Sequence, residues 1–342
     1  MSGRGSLSLC FVVPALAGPV TGGTLYNREL CAALDRAATR VRVCELGAAR
    51  LGAALQTADQ VWVDSLYLAA LPDLAREATG LIGLLAHYLP SFVARGRAVG
   101  PSELSDEEAR ALGAANAYLV TSDFMREALG PLVAPNKPIC VAQPGSHAQL
   151  ASAPPTASAR LRALLIGNVV PGKGLDALLV ALSGLLEPGD HFELSVVGSL
   201  AFDPAYAARC QRIIDDSPLL ARHVTLLGAC SPEQTASVLS QSQLLLSASR
   251  MESFGMALFD ARVAGIPILA CRGGNVAAHV AAEAGGELVD SPEQLAAACL
   301  ALARAPARVA ERMLRARDRA LPVRPWSETA RALLDQLASL EK

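Results

Sequence analysis

Short apolar runs alternate with stretches of helical period along almost the whole chain. In the first half, residues 7–13, 41–46, 61–63, 81–86, 117–120 and 139–142 are brief apolar runs that predict strands. Between them, 25–36, 68–77, 106–114 and 124–129 space their apolar residues three or four apart and predict helices. The alternation restarts after residue 160, with strands expected at 161–166, 192–197, 224–227, 244–247, 268–270 and 286–289. Helices are expected at 174–186, 204–215, 232–241, 256–264, 276–284 and 292–305. Such alternation builds a parallel sheet covered on both faces, because parallel neighbours must be joined by crossovers.

Residues 148–159 interrupt this rhythm with small residues and two prolines, and predict a linker. Two α/β domains of Rossmann-like type are therefore expected, at 1–150 and 151–322, facing a cleft where strand ends and helix N-termini converge on a ligand. The tail 323–342 carries an amphipathic helix, 326–340, expected to cross back to the first domain.

Composition narrows the picture. Hydrophobic residues make up 52% of the 342 and charged ones 18%, which excludes disorder. A formal charge of −2 provides no basic field for nucleic acid. The arginines of 304–324 read as a solvated helix face. Eight widely spaced cysteines form no CxxC pair, so they predict free thiols of a reducing, cytoplasmic compartment rather than a metal site or disulfides. Arg4, the run 7–13 and Ala15-Leu16-Ala17 mimic a secretory leader. The run is short and contains Ser8, so a buried strand is the preferred reading. No stretch is long and apolar enough to span a bilayer as a helix, and contact with a membrane surface is left open.

The candidate chemistry concentrates in Glu252-Ser253-Phe254-Gly255-Met256-Ala257-Leu258-Phe259-Asp260. Glu252 falls in a small-residue loop and Asp260 in the opening turns of a helix. Between them lies a helix N-terminus, whose unpaired amides and dipole suit a phosphate. Carboxylate, anion site, carboxylate is the polarity of a nucleotide sugar. A loop carboxylate and a helix-surface carboxylate are the plain alternative. Gly167-Asn168-Val169-Val170-Pro171-Gly172-Lys173-Gly174 follows a strand and opens a helix, with Lys173 one of only three lysines in the chain. It reads as a phosphate loop or as an ordinary strand–helix turn. Gly22-Gly23 occupies the corresponding position after the first strand, without a GxGxxG or P-loop pattern. His87 ends an apolar strand at the expected cleft edge, where a structural role is the plain alternative, and Asp64 reads as a helix cap or as a second group facing the cleft. Gly273-Gly274-Asn275 reads as a turn or as amides facing a ligand.

Taken together, these motifs resemble the retaining glycosyltransferases of family 4, which have the GT-B fold. The family's Glu-x7-Glu signature appears as Glu252 and Asp260, followed by Ala264-Gly265-Ile266-Pro267. The loop 167–174 resembles its Gly-Arg-x5-Lys-Gly phosphate loop, with one position of spacing changed. Gly22-Gly23, His87, Thr121-Ser122, the run 224–228 and Pro325-Trp326-Ser327-Glu328 also fall where members have counterparts. The likeness is strong over 161–290 and looser in the first half.

The resemblance implies a hexosyltransferase that moves a sugar from a nucleotide-diphosphate-sugar donor to a small-molecule, glycan or lipid acceptor, without metal or cofactor. It implies that Glu252 touches the donor sugar, Asp260 the ribose and Lys173 the diphosphate. Gly23 amides would assist and His87 would stand close to the reacting carbon. Gly22, Gly167, Asn168, Ser253, Phe254, Gly255 and Met256 would complete the donor site. Asn168 replaces the usual arginine, and Gly172 stands where a second cation is common, with Arg250 and Arg272 as candidate substitutes. The rivals are a non-hydrolysing nucleotide-sugar epimerase and a nucleotide-sugar-binding protein with weak or no transfer. A dinucleotide oxidoreductase lacks its fingerprint here. Nucleobase, sugar, acceptor and oligomeric state are not legible.

Overall fold

The computed structural model describes residues 7–17, 20–37, 39–147 and 160–340. The stretch 148–159, expected to be a linker, and Arg4 lie outside them. In chain order the first elements are β1 (Ser8–Val12), α1 (Gly22–Arg36), β2 (Arg40–Cys44), α2 (Leu51–Thr57), β3 (Gln60–Asp64) and α3 (Leu71–Glu77). They continue with β4 (Leu81–Ala86), α4 (Pro90–Arg95), α5 (Asp106–Ala114), β5 (Ala117–Val120), α6 (Asp123–Leu129) and β6 (Ile139–Val141). The second series runs β7 (Leu161–Ile166), α7 (Leu175–Leu185), β8 (Phe192–Val197), α8 (Pro204–Asp215), α9 (Pro218–His223), β9 (Val224–Gly228) and α10 (Pro232–Gln241). It ends with β10 (Leu244–Ser247), α11 (Met256–Ala264), β11 (Ile268–Cys271), β12 (Glu287–Val289), α12 (Pro292–Ala303), α13 (Pro306–Asp318) and α14 (Trp326–Leu337).

The chain divides into two compact units, Met1–Gly145 with Arg324–Lys342, and Ser146–Val323. The first unit holds a six-stranded sheet of order β2-β1-β3-β4-β5-β6, parallel throughout. The second holds another of order β12-β11-β10-β7-β8-β9, also parallel. Each sheet therefore has one point where successive strands depart in opposite directions. In the first it lies between β1 and β3, in the second between β7 and β10. Loops leaving the strand ends at such a point diverge and leave room for a ligand.

Burial follows the strand period. In the second unit, Leu161, Ala163 and Leu165 join the apolar cluster with α7, α8, α12 and α13, whereas Leu164 joins the one with α11. Both faces are thus covered, and strands read as continuous apolar runs for that reason. In the first unit, β3 is buried at every position.

Several elements differ from expectation. The helix expected at 25–36 starts at Gly22, because Thr21 and Thr24 form a reciprocal capping box. Residues 65–77 split into a 3₁₀ segment, Ser65–Ala70, and α3. Pro72 has no N–H to donate and its ring would clash with the carbonyl one turn earlier in a continuous helix. The helix expected over 276–284 is two short 3₁₀ turns, Asn275–Ala278 and Ala282–Ala284. There Asn275 and His279 both reach the Phe254 carbonyl, and that tie overrides local alanine propensity. The short helices α2, α4 and α9 carry too few turns to show a period. All eight cysteines are free thiols, seven of them buried.

Candidate functional site

In the second unit, the loops after β7 and β10 meet at the switch point. Lys173 follows β7 in a 3₁₀ turn, Pro171–Lys173. Gly174 ends that turn with φ 65°, and a Cβ there would lie 2.3 Å from the Ala248 carbonyl oxygen. Only glycine lets the two loops approach this closely. The Arg250 amide then donates to the Gly172 carbonyl at 2.9 Å, pinning the loop after β10 to the lysine loop. The Lys173 stem crosses Gly167, where an added Cβ would stand 3.2 Å from Cε.

Lys173 Nζ donates to Glu252 Oε1 at 2.5 Å, with the two side chains 29% and 17% exposed. The cation expected at a diphosphate and the carboxylate expected at a sugar are thus brought together. Burial pushes the Glu252 carboxyl up, but Lys173, a bond from Ser249 and the nearby His279 outweigh it and hold the group below its ordinary range. The Glu252 backbone forms an isolated bridge with Gly274, and its carbonyl accepts from the Asn275 amide at 2.7 Å. Gly273-Gly274-Asn275 therefore serves to hold Glu252 in place.

Gly255 caps α11 in the left-handed region, φ 92°, without a side-chain partner for the first amides of the helix. Phe254 is buried; its ring meets Phe259 and His279 edge-on, so it anchors the loop from within the apolar core. Met256 packs partly against the same cluster, and Ser253 is half-buried. Asp260 lies one turn into α11, where Oδ1 accepts from the His147 amide at 2.9 Å.

Asn168 Oδ1 accepts from the Ser199 amide at 3.0 Å, so this side chain ties the loop after β8 to the loop after β7. Of the arginines considered as substitute cations, Arg272 pairs with Asp290 at 3.0 Å on the surface. The exposed Arg250 side chain makes no hydrogen bond or ion pair among the described residues.

In the first unit, a second cluster occupies the switch point. The amides of Gly22 and Gly23 open α1 and have no intrahelical partner. A Cβ on Gly23 would stand 3.4 Å from His87 Cδ2. His87 is buried at the end of β4, with the Tyr26 ring edge-on at 5.1 Å. Its Nε2 lies 2.9 Å from Asn27 Oδ1 and 3.4 Å from Asp64 Oδ2. Asp64 also accepts from Asn27 Nδ2 at 2.6 Å and caps the following turn at the Leu66 amide, 2.8 Å. Burial raises the Asp64 carboxyl, but His87, Leu66 and Asn27 prevail and hold it low.

Sequence reasoning read Asp64 as a cap, which it is, but did not find Asn27, Ser249, His147 or His279. Asn27 carried one signal, a polar residue at a position of α1 that faces the core. Among the described residues no three His, Cys, Asp or Glu side chains gather as a metal-ligand set.

Two parallel six-stranded sheets with loops of this kind at their switch points define the GT-B class of glycosyltransferase fold. Sucrose-phosphate synthase from Thermosynechococcus elongatus superposes with a TM-score of 0.79 at 19% identity, over 98% of this chain and 99% of that one. HepE from Anabaena, solved with UDP-glucose, gives 0.76 at 15%, over 97% and 100%. Residues 153–317 of the chain match the family "Glycosyl transferases group 1". A D-inositol 3-phosphate glycosyltransferase from Segniliparus rotundus is 32% identical over 179 residues, 49% of this chain and 38% of that protein. One from Rhodococcus opacus is 31% identical over 176 residues, 50% and 39% respectively. The match thus spans well under half the length of these curated relatives.

Proposed function

We propose that the chain transfers a hexosyl group from a nucleotide-diphosphate sugar to a hydroxyl acceptor, with retention at the anomeric carbon and without a metal ion. The observation that carries this reading is the Lys173–Glu252 pair at the switch point, beside the uncapped N-terminus of α11. A diphosphate brings two negative charges. Lys173 would turn towards them, the α11 amides would add fixed partial charge, and Arg250 would supply a second cation beside the same loop. Glu252, released from Lys173, would accept from sugar hydroxyls. Asp260 would accept from the ribose diol in place of the His147 amide.

The bond between the anomeric carbon and the phosphate oxygen breaks, and its electron pair leaves with the nucleoside diphosphate. The acceptor oxygen attacks from the same face as the departing phosphate, and its proton passes to that phosphate. Charge that develops on the leaving oxygen is met by Lys173, so its contribution is made in the transition state. His87 would stand beside the reacting carbon, and the amides of Gly22 and Gly23 would assist at the phosphates. UDP-glucose is bound by the structurally similar HepE, which makes uridine donors the first to try. Eight free thiols fit a cytoplasmic setting, and no described helix is long and apolar enough to cross a membrane.

Thermal-shift titration with UDP, GDP, ADP and their sugars tests the donor claim. One nucleotide should raise the midpoint, and Lys173→Met should remove most of that rise. Flat responses to every nucleotide would sink the reading. Glu252→Gln should abolish transfer while nucleotide still binds. Donor NMR without acceptor should show no epimer; an epimer would turn the assignment to an epimerase.

A further inference from the structure

The polar cluster in the first unit determines which nitrogen of His87 carries the proton. A carboxylate only accepts, so Asn27 must direct its NH₂ at Asp64 Oδ2, 2.6 Å away. Its carbonyl oxygen is then the atom 2.9 Å from His87 Nε2. Asp64 Oδ2, the other neighbour of that nitrogen at 3.4 Å, is also an acceptor. Nε2 therefore carries a hydrogen. Nδ1 makes no protein hydrogen bond among the described residues. The first turn of α1, with its two unpartnered glycine amides, packs over the same ring.

We propose that Asp64 and Asn27 are positioning residues that hold His87 as the Nε2–H tautomer and leave Nδ1 as its acceptor towards a donor-sugar hydroxyl. The proposal rests on His87 serving transfer. Its energetic basis is that each of the three groups is buried, so a reversed amide would set donor against donor or acceptor against acceptor. Orientation passes along the chain Leu66 amide, Asp64, Asn27, His87, each bond dictating the next.

This logic predicts what substitution does. In Asp64→Asn, the Leu66 amide still requires the side-chain oxygen, so the new NH₂ faces Asn27. Asn27 must then invert, direct its own NH₂ at His87, and force the Nδ1–H tautomer. Adding Asn27→Asp restores an acceptor at that place, so the double variant Asp64→Asn/Asn27→Asp returns Nε2–H with one carboxylate still in the cluster.

The test is ¹⁵N NMR of the histidine rings in the full chain, with the His87 signals assigned through His87→Gln, alongside transfer kinetics and thermal melts. Nε2–H is expected in the wild type, Nδ1–H in Asp64→Asn, and Nε2–H again in the double variant. Transfer kcat should fall by about tenfold or more in the single variant, with donor KM within about twofold, and recover in the double. A wild-type Nδ1–H ring, or an Asp64→Asn ring still protonated at Nε2, would overturn the proposal whatever the melts show. Full transfer by His87→Gln would instead overturn the role of His87, and the tautomer readout would stand apart from that result.

Discussion

The Lys173–Glu252 pair poses the sharpest question at the scale of single residues. Each partner is the other's neutralising charge, so Lys173→Met leaves a half-buried carboxylate without its cation. Because both side chains retain some exposure, screening limits the cost to about 1–2 kcal/mol. Lys173→Met/Glu252→Gln should recover most of that loss in urea unfolding, while nucleotide binding stays weak in both variants. A double variant no more stable than the single would mean the pair contributes nothing to folding. Gly174→Ala tests the loop contact, since its methyl would meet the Ala248 carbonyl at 2.3 Å in a left-handed backbone. A loss of about 2–4 kcal/mol is expected, read as a shifted urea midpoint. Glu252, Asp260, Lys173 and His87 could be picked out because charge or histidine is conspicuous in an apolar chain. Their partners were not. Asn168 read as a missing cation, whereas it ties two loops through Ser199, and no sequence spacing announces a bond across 31 positions. Asn27 lies 37 positions before Asp64 and 60 before His87, so that cluster exists only once the sheet has formed.

Among elements, α4 and α5 are fixed to each other by one buried carboxylate. Glu108 accepts from the Ser91 amide and hydroxyl at the start of α4 and from the Ser105 amide and hydroxyl at its own cap. Burial pushes this carboxyl up, but the four donors outweigh it and keep it below the ordinary range. Its folded value is therefore the lower one. The stabilisation is complete above the unfolded carboxylate range and disappears as pH falls through the folded value. Glu108→Gln should cost about 1–3 kcal/mol near neutrality and flatten the acid limb of the stability curve below about pH 4, measured by denaturant titration across pH. An acid limb of unchanged slope would assign that sensitivity elsewhere. Element type was legible wherever period and length sufficed, as for α8, α10 and α11, which match the expected bounds. It failed over 276–284, where alanines favour a helix but the Phe254 carbonyl, 21 positions before Asn275 and 25 before His279, claims both side chains.

On the scale of the whole molecule, the first unit is completed by the last helix. Gln336 of α14 binds the β6 edge as a strand would, its side chain accepting from the Val141 amide and donating to the Val141 carbonyl, each at 2.9 Å. Thr329 donates to the Gln143 carbonyl at 2.8 Å, and Ala330, Leu333 and Leu337 are fully buried. Leu333→Asp should cost at least about 3 kcal/mol and lower the melting of the first unit while the second keeps its own transition, which calorimetry would resolve. A single uniform shift of both transitions would contradict that separation. Two parallel sheets were legible from the alternation alone, since strand type depends on local pattern. Strand order was not, because the reversal at each switch point is decided by packing between residues far apart in sequence.

The late arrival of α14 has a consequence for biosynthesis. A ribosome finishes residues 146–323 before it reaches the segment that covers α1 and β6, and at about 5–20 residues per second this takes roughly ten to forty seconds. During that interval the nascent first unit presents the apolar seat of Leu333 and Leu337 and an open strand edge to the cell, while the second unit can already fold. Of the two halves, the one translated first is the one that must wait, and it is there that a folding chaperone would find its client.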